Sequence, residues 1–214
     1  MKVDSKIFGG FCLHVVSMIF PCFLLCCIAF FWQEESPDTI FADKILVYLL
    51  TPAFLFLLYK LDRTATSIFV TRFRSRRDAL IQQVLRHGVC AALYSATWLI
   101  SVSAASVLRY GHIVSQDIGA WFFRYILLWI TVSQFSGLIE KLLPAKMGAL
   151  SYIIVYMWIV FEMLILFRTL PAGIGLIISW FAIRNNFGLC IQLIWTAAMT
   201  ATSVQLCEKE DILT

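Results

Sequence analysis

Charge is scarce in this chain. Asp, Glu, Lys and Arg make up 14% of its 214 residues, against about 25% in a soluble globular domain. That deficit excludes an ordinary water-soluble fold of this length. The sequence also lacks the short motifs that carry common chemistry. It has no G-x-x-x-x-G-K-[ST] loop to cradle phosphates, no H-E-x-x-H and no C-x-x-C. Its three histidines, His14, His87 and His112, are far apart and are expected at different depths, so no metal or proton-relay site is expected from them. No clustered nucleophile, acid or metal ligand is visible. The chain is therefore expected not to be an enzyme, to have no catalytic residues and to bind no metal or cofactor of its own.

Cysteine is present, but in a form that excludes a disulfide scaffold. Cys12, Cys22, Cys26 and Cys27 fall in the first apolar run, and Cys90, Cys190 and Cys207 in or beside later ones. A free thiol packs as a small apolar group, and disulfides are rare in lipid-buried or cytoplasmic positions.

What the chain has in abundance is apolar length. Hydrophobic residues make up 61% of it, and its mean hydropathy is +0.85. A transmembrane helix needs about 20 apolar residues. The pattern predicts an all-α, polytopic membrane protein with six spans at about 8–31, 45–60, 88–108, 118–138, 147–167 and 188–206, forming a single transmembrane domain over 1–214. The first run is too long for a signal core and shows no clear small-residue cleavage site. Between the fifth and sixth spans, 170–188 has an apolar core from Ile174 to Ile183, opened by Pro171, Gly173 and Gly175 and closed by Asn185, Asn186 and Gly188. That is about half a span, so it reads as a re-entrant or interfacial helix.

The densest charge lies between the second and third spans. From Lys60 to His87 the sequence carries Lys60, Arg63, Arg72, Arg74, Arg76, Arg77 and Arg86 against Asp62 and Asp78. Basic loops stay on the cytoplasmic side. With Lys2, Lys6, Lys141, Lys146 and Lys209, the inner side holds twelve of the seventeen Lys and Arg. Lys44, Arg109, Arg168 and Arg184 fall outside, and Arg124 falls within the fourth span. Both termini are therefore expected in the cytoplasm. The segment is also patterned: Phe69, Phe73, Leu80 and Val84 recur at helical spacing, which predicts an amphipathic helix.

Two ionisable groups interrupt the spans. Glu162 lies in YMWIVFEMLILF and Arg124 in WFFRYILLWI. Such residues are costly in lipid and usually face a cavity or a partner. Arg124 is close enough to the outer end to snorkel. Glu162 is a candidate for a polar role inside the bundle or on a translocation path, and a pair with Arg124 is sterically open to it.

Six spans, a basic amphipathic element after the second and a short re-entrant segment before the sixth resemble the ABC-2-type permeases of ABC exporters. The run IFVTRFRSRRDALIQQVLRHGVCAALYS, residues 68–95, is similar to the corresponding stretch of small permease subunits of bacterial peptide and bacteriocin-immunity exporters. The resemblance implies a coupling segment over 62–78, its helix at 66–75, that seats in a groove of a separate ATPase. Ile68, Phe69, Arg72, Phe73, Arg74 and Arg76 would make that contact, with the loop Glu140–Lys146 as a second, smaller one. It further implies ATP and Mg on the partner ATPase, a second permease chain in a homodimer or heterodimer, contact with membrane lipid, no nucleic acid, a plasma (inner) membrane location, and an amphipathic peptide, lipid-like or drug-like cargo.

A rival reading from another class uses the same segment. Lys and Arg beside a span attract anionic headgroups at roughly 1 kcal/mol each. The chain would then be a membrane scaffold or sensor subunit whose basic helix binds anionic lipid or a cytoplasmic partner.

Overall fold

The computed structural model describes residues 2–33, 40–41, 43–69, 76–113, 117–143, 147–166 and 186–212. All secondary structure among them is helical. Helix α1 is Lys2–Gln33. A helical turn, Asp43–Ile45, leads through a π-helical stretch, Leu46–Leu50, into α2, Thr51–Phe69. Then come α3, Arg76–Tyr110; α4, Ile118–Leu142; α5, Gly148–Leu166; and α6, Asn186–Ile212. In lipid every backbone N–H and C=O must be satisfied within its own segment, and the helix does this for an apolar run.

Among the described residues, three stretches are long and apolar enough to cross a membrane: Val15–Gln33, Leu80–Tyr110 and Ile118–Leu142. Gly148–Leu164 is apolar but shorter. The proposed re-entrant segment lies almost wholly in 167–185, outside the described residues.

Helix directions follow from pairwise contacts. Phe23 meets Trp98 and Phe31 meets Tyr110, so α1 and α3 run parallel. The Tyr94 hydroxyl donates to the Leu50 carbonyl while His87 meets Asp62, so the chain through the π-helical stretch and α2 runs antiparallel to α3. Helix α4 runs against α3 and α5 runs against α4, with Phe135 on Trp158 and Gly148 facing Glu140. Thr131 meets Thr196 and Lys141 meets Ser203, so α4 and α6 are parallel. Hence α1, α3 and α5 point one way and α2, α4 and α6 the other. The end of α5 and the start of α6 share one end of the bundle.

The core is aromatic and lies at mid-height. Phe54 packs on Tyr94 and Trp129, Tyr94 on Trp129 edge to face, and Phe23 on Tyr94 and Trp98. Such ring pairs contribute about 0.5–1.5 kcal/mol beyond their buried area. They clamp α1, α2, α3 and α4 together. Hydroxyls within the helices return to their own backbone: Ser95 donates to the Ala91 carbonyl, Thr97 to Leu93 and Ser101 to Thr97. Bonding to the carbonyl one turn back lets a hydroxyl sit in an apolar interior. Helix α3 ends where Gly111 takes φ 75°, a left-handed backbone that glycine adopts without strain, and its N–H closes on the Val107 carbonyl.

Candidate functional site

The polar centre of the described structure lies at the end of the bundle that carries the basic segment. Asp62 comes from the last turns of α2, His87 from the fourth turn of α3, and Tyr152 from the second turn of α5. The His87 Nε2 is 2.9 Å from Asp62 Oδ1 and 3.0 Å from Oδ2. The Tyr152 hydroxyl donates to Asp62 Oδ2 at 2.8 Å. His87 is 3% exposed and the Asp62 side chain 13%. One carboxylate thus ties three helices that are remote in sequence.

The surroundings reinforce it. The Tyr59 ring meets Tyr152 edge to face at 5.6 Å. The Arg63 guanidinium donates to the Tyr59 hydroxyl at 3.3 Å. Burial by itself pushes the Asp62 carboxyl upward, because it disfavours the charge. The His87 charge and hydrogen bond, the Tyr152 hydroxyl and the Arg86 charge outweigh that, and the carboxyl ends below its ordinary range. Asp62 is therefore held as a carboxylate.

Beside this cluster lies a cavity of about 10 Å³ lined by Gln83, His87, Ser133, Gln134, Lys141 and Ser203, among others, enough for about one water molecule. The Lys141 ammonium donates to the Ser203 carbonyl at 3.2 Å.

The residues singled out from sequence fall as follows. Ile68 and Phe69 are the last two residues of α2, and Arg76 opens α3. Arg72, Phe73 and Arg74 lie in 70–75, outside the described residues. Within what is described, the helix of the second span runs on through Phe69 and that of the third begins at Arg76. Glu162 is 4% exposed and accepts a hydrogen bond from Trp158 Nε1 at 2.6 Å. The Arg124 guanidinium lies 5.7 Å from the centre of the Trp121 ring. Arg124 is in the first turns of α4 and Glu162 in the last turns of α5, so both sit at the end opposite Asp62.

Sequence reasoning missed Asp62 and Tyr152 as partners and set His87 aside with the other histidines. Among the described residues no group of His, Cys, Asp and Glu could hold a metal ion. His112 is exposed, with its Nδ1 near the Tyr110 carbonyl. The only local signal for the cluster was position: Asp62 and His87 lie at the two edges of the basic segment. Of the cysteines, Cys22, Cys26, Cys27, Cys90 and Cys190 are in no disulfide, and Cys27 and Cys90 are buried. No family model matches this chain, and no curated protein or solved structure matches it.

Proposed function

We propose that this chain is the membrane-embedded permease subunit of an ATP-driven exporter of the ABC-2 type, moving an amphipathic peptide, lipid-like or drug-like cargo with ATP hydrolysed on a separate chain. The observation that carries the reading is the Asp62–His87–Tyr152 clasp. The basic segment runs from the end of α2 into α3, and the clasp at its two edges locks those helices to each other and to α5. A pull on 66–75 is then delivered to three helices together instead of fraying one helix end. A coupling element needs that stiffness, because motion passes through packed elements only when they move as units.

Membrane insertion with six crossings belongs to the same proposal. The alternating helix directions support it. So does the return of α5 and α6 to one end of the bundle, which leaves 170–188 without a crossing to make. The charge bias then puts the Asp62 end, both termini and the ATPase contact in the cytoplasm. A second permease chain completes the path.

The test is affinity purification of the tagged chain from its native membranes. The expected result is a stoichiometric subunit carrying a G-x-x-x-x-G-K-[ST] loop, depleted when Phe69→Ala is combined with Phe73→Ala. Truncating buried aromatic anchors costs about 2 kcal/mol or more each, enough to weaken binding by more than about tenfold. Equal recovery of the ATPase with the double variant, with unchanged ATP turnover, defeats the coupling assignment. Recovery of anionic lipid with no ATPase replaces the permease reading with the scaffold one.

A further inference from the structure

The seam between α4 and α6 is built unlike the aromatic seams of the bundle. On α6, Gln192, Thr196, Thr200 and Ser203 recur at helical spacing. Facing the last three of them on α4 are Thr131, Gln134 and Lys141. The Thr131 and Thr196 hydroxyls are 2.7 Å apart, Thr200 faces Gln134 Oε1 at 3.4 Å, and Lys141 reaches the Ser203 carbonyl. From Gln192 to Ser203 the stripe rises roughly 16 Å at 1.5 Å per residue, about half of a hydrocarbon core of roughly 30 Å.

Polar side chains between membrane helices often serve as interhelical hydrogen-bond pairs. This seam is poorly paired for that task. The Thr196 hydroxyl donates to the Gln192 carbonyl and the Thr200 hydroxyl to the Thr196 carbonyl, both at 2.8 Å. Each hydroxyl has one proton, shared between that carbonyl and a partner on α4: either hydroxyl of the Thr131–Thr196 pair can donate, Thr131 also reaches the Leu127 carbonyl, and Thr200 meets Gln134 only at the long end of hydrogen-bond range. Gln192 is the clearest case. It is 1% exposed, yet among the described residues neither Oε1 nor Nε2 of its carboxamide has a hydrogen-bond partner. A buried, unpaired amide bears its full desolvation cost. At its other end the stripe opens onto the water-sized cavity lined by Gln134, His87, Lys141 and Ser203.

We propose that the α4–α6 seam is a hydrated polar track that binds the uncharged amide groups of a peptide, with Gln192 as its first contact and the cavity beside His87 as its inner end. A glutamine carboxamide offers a donor and an acceptor side by side, the complement of a peptide unit's C=O and N–H. The assignment to peptide rests on the exporter reading, whereas the hydration of the seam does not.

The experiment uses the full chain in membrane vesicles with Gln192→Cys, Thr196→Cys or Thr200→Cys, and Ile194→Cys as a control. Ile194 lies on the same helix and is 69% exposed on its outer face. The probe is a charged, membrane-impermeant methanethiosulfonate, read site by site by peptide mass. Only a hydrated thiol ionises and reacts, so seam positions are expected to label at least about tenfold faster than position 194. An uncharged, end-blocked trialanine in excess is expected to slow labelling at 192. Labelling at 194 as fast as in the seam overturns the track. Fast seam labelling that the peptide leaves unchanged overturns the peptide assignment. Gln192→Leu gives a separate readout: in a dry seam it removes an unpaired amide and raises the melting temperature, and such a rise overturns the proposal. None of these readouts involves the ATPase, so a failed ATPase purification and a failed track are distinguishable.

Discussion

His87 Nε2 lies 2.9 Å from one Asp62 carboxylate oxygen and 3.0 Å from the other, across twenty-five residues of chain that hold every Lys and Arg of the basic segment except Lys60. The contact closes a loop whose two stems are α2 and α3. It places a hydrogen-bonded carboxylate at the base of the segment proposed to meet the ATPase.

Removing the imidazole is therefore expected to loosen the base of that loop. His87→Ala leaves Asp62 short of a partner in a mostly buried site, which costs about 2 kcal/mol. For a chain of this size that lowers the melting temperature by roughly 4–8 °C. Tyr152→Phe, which deletes one hydroxyl donor, is expected to cost about half as much. Thermal unfolding in detergent measures both, and melting curves that overlay the wild type refute the clasp.

The carboxylate gives a pH signature in acid. Because the folded chain holds the Asp62 carboxyl below its ordinary value of 3.8, the folded state binds that proton more weakly than the unfolded state. The stabilisation is present above the unfolded value and is lost as pH falls through the folded one. The stability gap between wild type and Asp62→Asn should hold steady down to about pH 4 and narrow below it. A gap that does not change on acidification counts against a depressed carboxyl.

The Tyr94 hydroxyl donates to the Leu50 carbonyl at 2.6 Å, where the π-helical stretch passes into α2. Thr51 Oγ1 donates to the Leu46 carbonyl at 2.8 Å in the same turn. Tyr94→Phe keeps the ring contacts with Phe23, Phe54 and Trp129 and deletes only the hydroxyl. The expected cost is about 1 kcal/mol, read as a melting shift of roughly 2–4 °C. No shift means that the Leu50 carbonyl finds another donor.

Glu162 receives the Trp158 indole N–H. Gln at 162 keeps an acceptor for it, so, on the proposed exporter reading, Glu162→Gln is expected to assemble normally while lowering transport or cargo-stimulated ATP hydrolysis. A carboxyl inside a span is costly unless it serves a role. If Glu162→Leu gives a complex of full activity and equal thermal stability, Glu162 has no functional part.

Topology is open to a direct test. Reporter fusions at Thr214 and Asn185 are expected to report cytoplasm and exterior respectively, from the bias of Lys and Arg toward the 60–87 segment and the ends. A reporter at Thr214 that is active outside the cell defeats the arrangement of six crossings.

The sequence by itself determined the helical, membrane-suited character of the chain and the position of its charge. Long apolar runs such as that ending at Trp32 leave the backbone no solvent partner, and the intrahelical bond is then the only one available. Glu162 and Arg124 were legible as exceptions because one charge in an apolar run stands out locally. What only the tertiary structure decided is which polar groups meet. Asp62 and His87 looked like members of a basic loop, and Tyr152 like one aromatic among many. Ninety residues separate Asp62 from Tyr152, and no periodicity spans that distance. Gln192 and Thr196 lie within the apolar run at 188–206, and nothing in that run shows that Thr131 stands opposite Thr196. Hydropathy reports how each residue partitions between water and lipid. Pairing depends on the directions and rotations of packed helices, and those follow from aromatic packing among Phe54, Tyr94 and Trp129, a relation among segments that no single segment encodes.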